Sequence, residues 1–183
     1  MSAVAPLAMD DEIVRRARNV RLLLFDVDGV LTDGTLLISS EGSESKSFNI
    51  KDGAGIVWAQ RAGLLTGLLS ARPSASAERR AADLGMSIVS LGRSDKGAAY
   101  SEILAAHQLE DAHVAFMGDD LMDLPVLTRV GLAAAPADAA AEVRACAHWV
   151  SSCAGGHGAA REFAEFILRA SDRWDAVVRG YSA

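Results

Sequence analysis

The chain has 183 residues, of which 50% are hydrophobic, enough apolar material for one domain with its own core. Its formal net charge of -6, with acidic and basic residues interleaved, excludes the basic surface of a typical nucleic-acid-binding protein. The first residues lack the pattern of a secretory signal, and no stretch approaches the length of a membrane-spanning helix. Cys146 and Cys153 lack the spacing of a redox or zinc pair and are expected to be free thiols. We therefore expect a cytoplasmic protein that binds neither nucleic acid nor membrane.

Short apolar runs alternate along the chain with longer segments that have helical spacing. Residues 1–20 predict a loose tail followed by a short charged helix. The apolar runs are too short for helices and predict strands at Leu22–Phe25, Leu65–Leu69, Ser87–Val89, Val114–Met117, Gly131–Ala134 and His148–Val150. The segments between and after them predict helices at Ala54–Ala62, Ala75–Leu84, Lys96–His107, Leu121–Val130, Ala139–Cys146 and Ala159–Ala170. This alternation predicts an α/β fold, a Rossmann-like doubly wound parallel sheet with helices on both faces.

One segment, between Asp33 and Phe48, departs from this alternation. There the runs TLLIS and ESKSF flank SEGS, which predicts a small β-hairpin flap projecting from the sheet. About forty residues separate Asp26 from Ser70, and fewer follow before Lys96, so neither gap holds a large cap domain. We therefore expect one domain over residues 21–170 and a C-terminal tail over residues 171–183.

Polar residues follow three predicted strands, at the edge where the ligand site of a parallel sheet lies. They are Asp26 and Asp28 after the first strand, Ser70, Ala71 and Arg72 after the second, and Asp119 and Asp120 after the fourth. The gathered carboxylates repel one another, and Mg2+ suits a site with few carboxylates and several retained waters. We expect Asp26 and Asp119 as direct ligands, with Asp28 contributing its backbone carbonyl. Asp120 and Asp123 are expected to hold the waters around the ion.

A carboxylate at this edge can also attack phosphorus and form an aspartyl-phosphate. Attack on a phosphate dianion requires neutralised charge, which Mg2+ and Lys96 would supply, while Ser70 and backbone amides hold the phosphoryl oxygens. Asp28, two residues after Asp26, can protonate the departing alcohol and then act as a base toward the hydrolytic water. The residues therefore favour phosphate-ester hydrolysis.

Structural interpretations of several of these residues stay open. Two aspartates at a strand end can form a turn, although Lys96 and the GDD segment at residues 118–120 argue against this. Ser70 could cap the following helix, and Asp123 could be an ordinary first-turn acid favoured by the helix dipole. The GGHG segment at residues 155–158 lacks the Lys-Ser/Thr of a nucleotide-binding loop, so we expect a turn before the last helix.

DVDGVLTDG, the Ser70 strand end, Lys96 in SDK and GDDLMD resemble, in order, the four motifs of the haloacid dehalogenase superfamily. This resemblance implies Asp26 as nucleophile, Asp28 as general acid and base, Ser70 as phosphate ligand and Lys96 as charge stabiliser. It also implies Asp119 and Asp26 as metal ligands. In that superfamily an acid two residues after the nucleophile marks the phosphatases, whereas P-type ion pumps carry Thr there.

A longer pattern, with FNIKDGAGI, SARPS, GRSDKGAAY and GGHGAARE, resembles the 3-deoxy-D-manno-octulosonate 8-phosphate phosphatases over roughly residues 21–168. These are capless, C0-type members that form tetramers and act in making the inner sugar of bacterial lipopolysaccharide. The resemblance implies a magnesium-dependent phosphatase of this sugar acid phosphate, assembled as a homotetramer. Close relatives act on nine-carbon keto sugar acid phosphates, and such a substrate is the alternative.

The same resemblance implies residues that bind the substrate. Arg72 suits the carboxylate of a sugar acid. Further candidates for the pocket, from their positions, are Lys51 and Asp52 beside the base of the hairpin and Arg161 at the start of the last helix. The sequence departs from the family at Ala71, where Gly is usual, and this adds a methyl group where the backbone approaches phosphate. The apolar tail is expected either to reach a neighbouring subunit's site or to pack locally, and Trp58 is expected in the core or an interface.

Overall fold

The computed structural model describes residues 11–182, so the predicted loose tail at the start of the chain lies outside the described residues. The strands are β1 Leu22–Phe25, β2 Leu37–Ile38, β3 Glu44–Ser45, β4 Leu65–Leu69, β5 Ile88–Ser90, β6 Val114–Met117, β7 Leu132–Ala135 and β8 Trp149–Val150. The helices are α1 Asp11–Arg18, α2 Ile50–Arg61, α3 Ala75–Leu84, α4 Lys96–His107, α5 Leu124–Leu127, α6 Ala141–Cys146, α7 Ala159–Ala170 and α8 Trp174–Arg179. Short 3-10 helices occupy Asp111–His113 and Leu121–Asp123.

Six strands form one parallel sheet in the order β5-β4-β1-β6-β7-β8, as the alternating pattern predicts. Strand β1 lies in the middle and is buried along its whole length. Its Leu23 and Phe25 pack in one apolar cluster with α1, α2, α3 and α7, whereas Leu22 and Leu24 pack with α4, α5 and α6 on the opposite face. The run of apolar residues on β1 is explained by this burial on both sides. The predicted doubly wound fold is confirmed.

The predicted boundaries of two helices were wrong. Helix α2 begins at Ile50 rather than Ala54, because the Asn49 side chain accepts a hydrogen bond from the Lys51 amide and caps the helix earlier. The helix predicted over Leu121–Val130 is instead a 3-10 turn followed by the single turn of α5, with a proline at the start of the α-helical turn. The remaining predicted strands and helices lie within two residues of those observed.

The hairpin is present and short, with β2 and β3 paired antiparallel through Leu37 with Ser45 and Ile38 with Glu44. Leu37 and Ile38, the two residues of β2, are both exposed. No large domain is inserted among residues 11–182, so the hairpin is the covering element nearest the site. The predicted flap without a large cap is confirmed.

The C-terminal segment contains a helix, α8, that the sequence did not predict. Its Trp174 packs edge-on against Trp58 of α2, with ring centroids 5.5 Å apart. The Trp58 indole N–H also donates a hydrogen bond to the Tyr181 hydroxyl at 2.9 Å. Trp174 and Tyr181 therefore pack locally, on the outer side of α2.

Two further predictions concern the cysteines and membrane-spanning helices. Cys146 and Cys153 are free thiols, as predicted. Among residues 11–182, no helix combines the length and the apolar composition that crossing a membrane requires.

Candidate active site

The carboxyl ends of β1, β4 and β6 border a cavity of about 410 Å3. This is the edge of the sheet where parallel α/β folds bind ligands. Nine of the residues predicted from the sequence line it: Asp26, Asp28, Ser70, Ala71, Arg72, Lys96, Asp119, Asp120 and Asp123. Four separate segments of the chain, three after strands and one at the start of α4, therefore bring their polar side chains to one place. They meet because adjacent parallel strands end side by side.

Lys96 forms the charged centre of the site. Its ammonium lies 3.1 Å from Asp26 Oδ2 and 2.5 Å from Asp123 Oδ1, and its side chain is almost completely buried. Burial acts to lower the pKa of Lys96, but the two carboxylates, Asp26 first, raise it above its ordinary value. Lys96 is therefore a permanent cation at the end of β1.

Asp26 stays difficult to ionise even beside this cation. Burial, together with repulsion from Asp123, raises its pKa to about 6, although Lys96 acts in the opposite direction. Lys96 contacts Oδ2, whereas Oδ1 is buried without a hydrogen-bond partner among the described residues. A buried carboxylate oxygen without a partner is costly unless another group, such as a cation or a ligand, meets it.

Asp119 faces Asp26 across the site. Burial and the neighbouring Asp26 raise its pKa to about 8. The Asp119 carboxylate lies so close over Gly29 that a Cβ added at residue 29 would be 2.0 Å from Oδ2. Gly29 also has a backbone φ of +78°, which residues other than glycine rarely adopt. Glycine at this position therefore lets the loop after β1 approach Asp119.

The carboxylates fit a hard divalent cation. One oxygen each from Asp26, Asp119 and Asp123 lie within 4.8 Å of one another, and oxygen ligands are those that Mg2+ prefers. The raised pKa values of Asp26 and Asp119, together with the absence of a hydrogen-bond partner for Asp26 Oδ1 among residues 11–182, show that Lys96 alone does not balance the negative charge of these carboxylates. The Asp28 carboxylate is outside this group, and its predicted backbone contribution stays a prediction.

Asp123 holds the loop that carries Asp119. One oxygen accepts a hydrogen bond from the Lys96 ammonium, and the other accepts hydrogen bonds from the backbone N–H groups of Asp119 at 2.9 Å and Asp120 at 3.3 Å. Asp123 is fully buried, which sets it apart from an ordinary first-turn acid on a surface helix. Asp120 is exposed and caps the 3-10 turn through the amide of Leu121.

Ser70 is a buried residue that follows β4 and lines the wall of the cavity. The following helix, α3, is capped by Ser74, whose hydroxyl accepts from the Ala77 amide. The alternative interpretation of Ser70 as the helix cap was therefore wrong, and its hydroxyl is not committed to that task.

The hairpin contributes two residues that the sequence did not single out. The Lys46 ammonium donates to the Asp28 carboxylate and lies 3.4 Å from Glu44, and the Lys46 side chain is fully buried. The Arg72 guanidinium lies 2.8 Å from Glu44 and 3.4 Å from Asp28. Residues two apart on a strand share a face, so the position of Glu44 and Lys46 in the predicted hairpin was the available signal.

Lys51 and Arg161, predicted to bind substrate, do not line the cavity. Lys51 is exposed on the first turn of α2. The Arg161 guanidinium lies 3.7 Å over the Trp58 ring and pairs with Glu165. Within one chain the structure therefore does not place either residue at the site, because both belong to the outer side of α2 and α7.

The GGHG segment supports the loop after β1. A Cβ added at Gly155 would lie 1.8 Å from the Gly29 carbonyl oxygen, so the two backbones touch. The buried Asp52 carboxylate accepts the N–H groups of Gly158 and Arg161 at the start of α7. The segment is a turn before the last helix, as predicted, and it packs directly behind the loop of Asp26 and Asp28.

Mg2+ is expected to stabilise the protein more at pH 8.5 than at pH 6. Because the pKa of Asp119 is raised to about 8 and that of Asp26 to about 6, protons compete with the cation at lower pH. Without metal, raised carboxyl pKa values remove stability as pH rises from about 4 to 8, and the cation restores it. Thermal unfolding with Mg2+, against NaCl of equal ionic strength, measures the difference. An equal or larger shift of the melting temperature at pH 6 would contradict the assignment.

Comparison with known proteins agrees with this geometry. Residues 86–163 match the family described as haloacid dehalogenase-like hydrolase. A 3-deoxy-D-manno-octulosonate 8-phosphate phosphatase of Yersinia pestis is 42% identical over 167 residues, covering 91% of this chain and 89% of the relative.

Two solved structures are similar over nearly the whole chain. A probable YrbI family phosphatase from Pseudomonas syringae is 45% identical with a TM-score of 0.93, covering 95% of this chain and 99% of that one. A 3-deoxy-D-manno-octulosonate 8-phosphate phosphatase from Moraxella catarrhalis, in complex with magnesium, phosphate and KDO, is 34% identical with a TM-score of 0.92, covering 94% and 99%. The chain therefore belongs to the haloacid dehalogenase-like hydrolases, within the family of 3-deoxy-D-manno-octulosonate 8-phosphate phosphatases.

Proposed function

We propose that this protein is a magnesium-dependent phosphatase that hydrolyses 3-deoxy-D-manno-octulosonate 8-phosphate to the free sugar acid and phosphate. The observation that carries the proposal is the carboxylate of Asp26, a residue that lines the cavity. One of its oxygens is held by Lys96, and the other is buried without a hydrogen-bond partner among residues 11–182. The activity and substrate named for the relatives, at 42% identity for the Yersinia pestis enzyme, support the choice of sugar acid.

In the first step an Asp26 oxygen attacks phosphorus, and the bond from phosphorus to the sugar oxygen breaks. Asp28, in its protonated form, gives its proton to the departing sugar oxygen. Lys96 offsets negative charge beside Asp26, and the Ser70 hydroxyl can donate to a phosphoryl oxygen. The products of this step are an aspartyl-phosphate and the free sugar acid.

In the second step Asp28, now a carboxylate, accepts a proton from a water that attacks the aspartyl-phosphate. The bond between Asp26 and phosphorus breaks, which returns Asp26 as a carboxylate and releases inorganic phosphate. Asp28 ends protonated, as it began, so protons balance over the cycle. The position of Asp28 two residues after Asp26 supports this double role.

Asp26 and Asp119 would hold the metal ion. Asp123 would support them indirectly, because it binds the Lys96 ammonium and the backbone N–H of Asp119. A bound Mg2+ supplies positive charge that neutralises the phosphoryl oxygens and lowers the repulsion between phosphate and carboxylate. Magnesium in the Moraxella catarrhalis relative supports this choice of ion.

Arg72 is the proposed ligand of the sugar acid carboxylate. It follows Ser70 and Ala71 at the cavity wall, and its side chain is half exposed toward that space. A planar guanidinium binds a carboxylate through two parallel hydrogen bonds. A substrate with a phosphate at one end and a carboxylate at the other therefore suits a site with Lys96 and Arg72.

A panel of sugar phosphates ranked by kcat/KM tests the proposed substrate. We expect 3-deoxy-D-manno-octulosonate 8-phosphate to exceed phosphates without a carboxylate by on the order of 100-fold, because only the former pairs with Arg72. A nine-carbon keto sugar acid phosphate is the matched comparison. Its preference by the enzyme would replace the proposed substrate, and preference for a nucleotide would remove the sugar-acid assignment.

We also propose that the enzyme works as a homotetramer in the cytoplasm. The exposed Leu37 and Ile38 on the hairpin offer an apolar surface for a neighbouring subunit, and free thiols suit a reducing compartment. In such an assembly, Lys51 and Arg161 would be available to a neighbour's site. Sedimentation velocity is expected to give a tetramer, and cell fractionation a cytoplasmic location. A monomer at micromolar concentration would contradict the assembly.

A further inference from the structure

Four charged side chains form a ring where the hairpin meets the cavity: Asp28, Glu44, Lys46 and Arg72. Lys46 contacts Asp28 and lies 3.4 Å from Glu44 Oε1. Arg72 lies 2.8 Å from Glu44 Oε2 through Nη2, and 3.4 Å from Asp28 Oδ2 through Nε. Two acidic residues, Asp28 and Glu44, alternate around the ring with two basic residues, Lys46 and Arg72. The hairpin is therefore held to the site through charged groups.

The two cations in this ring have different surroundings. The Lys46 side chain is 0% exposed, whereas that of Arg72 is 49% exposed and lines the cavity. An ion pair that water reaches contributes little net free energy, because solvent screens it. The contact between Arg72 and Glu44 is thus the one that another anion can replace at low cost.

The shape of the guanidinium allows this replacement without breaking the other contacts. Arg72 uses Nε toward Asp28 and a terminal nitrogen toward Glu44, and a guanidinium presents five N–H donors in a rigid fork. Glu44 would keep its second oxygen near Lys46. Desolvation acts to raise the pKa of Glu44, but Lys46 and Arg72 outweigh it and hold this pKa below its ordinary value. Glu44 is therefore an anion at neutral pH.

We propose that Glu44 is a specificity-determining residue that pairs with Arg72 before the substrate binds, and that the substrate's carboxylate then takes its place on Arg72. The inference rests on the proposed function, since it requires a sugar acid. The sugar acid product keeps its carboxylate after the phosphate has left and can stay bound to Arg72. Because Glu44 competes for Arg72, it also promotes release of this product. Phosphate esters without a carboxylate leave the contact between Glu44 and Arg72 in place.

The test compares Glu44→Gln and Glu44→Ala with the intact enzyme. Calorimetric titration with the free sugar acid 3-deoxy-D-manno-octulosonate, at fixed Mg2+, is expected to give a Kd about 3- to 10-fold lower for both variants. KM for the sugar acid phosphate should fall with it. KM for p-nitrophenyl phosphate, which has no carboxylate, should not fall with it, and thermal melting shows that the variants fold.

Glu41→Gln is the matched control, because it removes an exposed carboxylate from the turn of the same hairpin. It should leave both measurements unchanged. An unchanged or raised Kd in the Glu44 variants would overturn the inference, and would mean that Glu44 orients Arg72 rather than competes for it. If the unmodified enzyme neither binds the sugar acid nor hydrolyses its phosphate, the proposed substrate fails, and the inference fails with it.

Discussion

Replacing Asp26 by asparagine is expected to lower turnover by a factor on the order of 10^4 or more while the chain keeps its fold. The amide has nearly the shape of the carboxylate but is a poor nucleophile toward phosphorus. Burial and Asp123 raise the pKa of Asp26, so its charge costs folding free energy at neutral pH. Without Mg2+, the variant should therefore be at least as stable as the original protein.

Steady-state rates with the sugar acid phosphate and thermal melting without metal measure these two effects. Asp83→Asn, on an exposed position of α3, is the control and should keep full activity. Activity within tenfold of the original in the Asp26 variant would contradict the role of Asp26 as nucleophile. A large loss of stability would instead show that the pair with Lys96 outweighs the cost of burial.

Replacing Lys96 by methionine is expected to lower turnover by on the order of 10^2 to 10^3 and to destabilise the protein by about 2–4 kcal/mol. The buried ammonium lies between Asp26 and Asp123, and its removal leaves two buried carboxylates without a counter-charge. Methionine keeps the length of the apolar stem, so the loss reports mainly the charge. Mg2+ should restore part of the stability, because it supplies positive charge to the same carboxylates.

The destabilisation caused by Lys96→Met is expected to depend on pH. Since the pKa of Asp26 is about 6 even with Lys96 present, removal of Lys96 raises it further. Asp26 is then protonated at pH 5, and the destabilisation measured by urea unfolding should be smaller at pH 5 than at pH 7.5. Lys96→Arg keeps the charge and should lose less stability than Lys96→Met. A methionine variant with unchanged rates would remove Lys96 from the proposed chemistry.

The sheet and most of the site were predictable from local features of the sequence. A run such as Leu22–Phe25, buried on both faces, predicts a central parallel strand, and parallel strands end at one edge. This alone places Asp26, Ser70 and Asp119 together, before any contact is known. The prediction succeeds because parallel strands of one sheet end at the same edge whatever their order. Strand order changes mainly the distances between these residues.

What the sequence did not predict depends on contacts between distant segments. Lys46 looks like a surface lysine on a short hairpin, and only the fold of that hairpin over the site buries it against Asp28. Helix α8 is stabilised by the packing of Trp174 on Trp58, more than a hundred residues away in the chain. Arg161 was assigned to the site from its position at the start of the last helix and from the family pattern, and its stacking on Trp58 has no local signal.

The most direct measurement of the central claim is a crystal structure of the Mg2+-loaded enzyme with beryllium fluoride, a mimic of a phosphoryl group bound to a carboxylate. The proposed mechanism predicts beryllium bonded to an Asp26 oxygen, with fluorine atoms facing Lys96 and Ser70. Beryllium fluoride bound to another residue, or a water held in line with the phosphoryl group and no bond to Asp26, would contradict it.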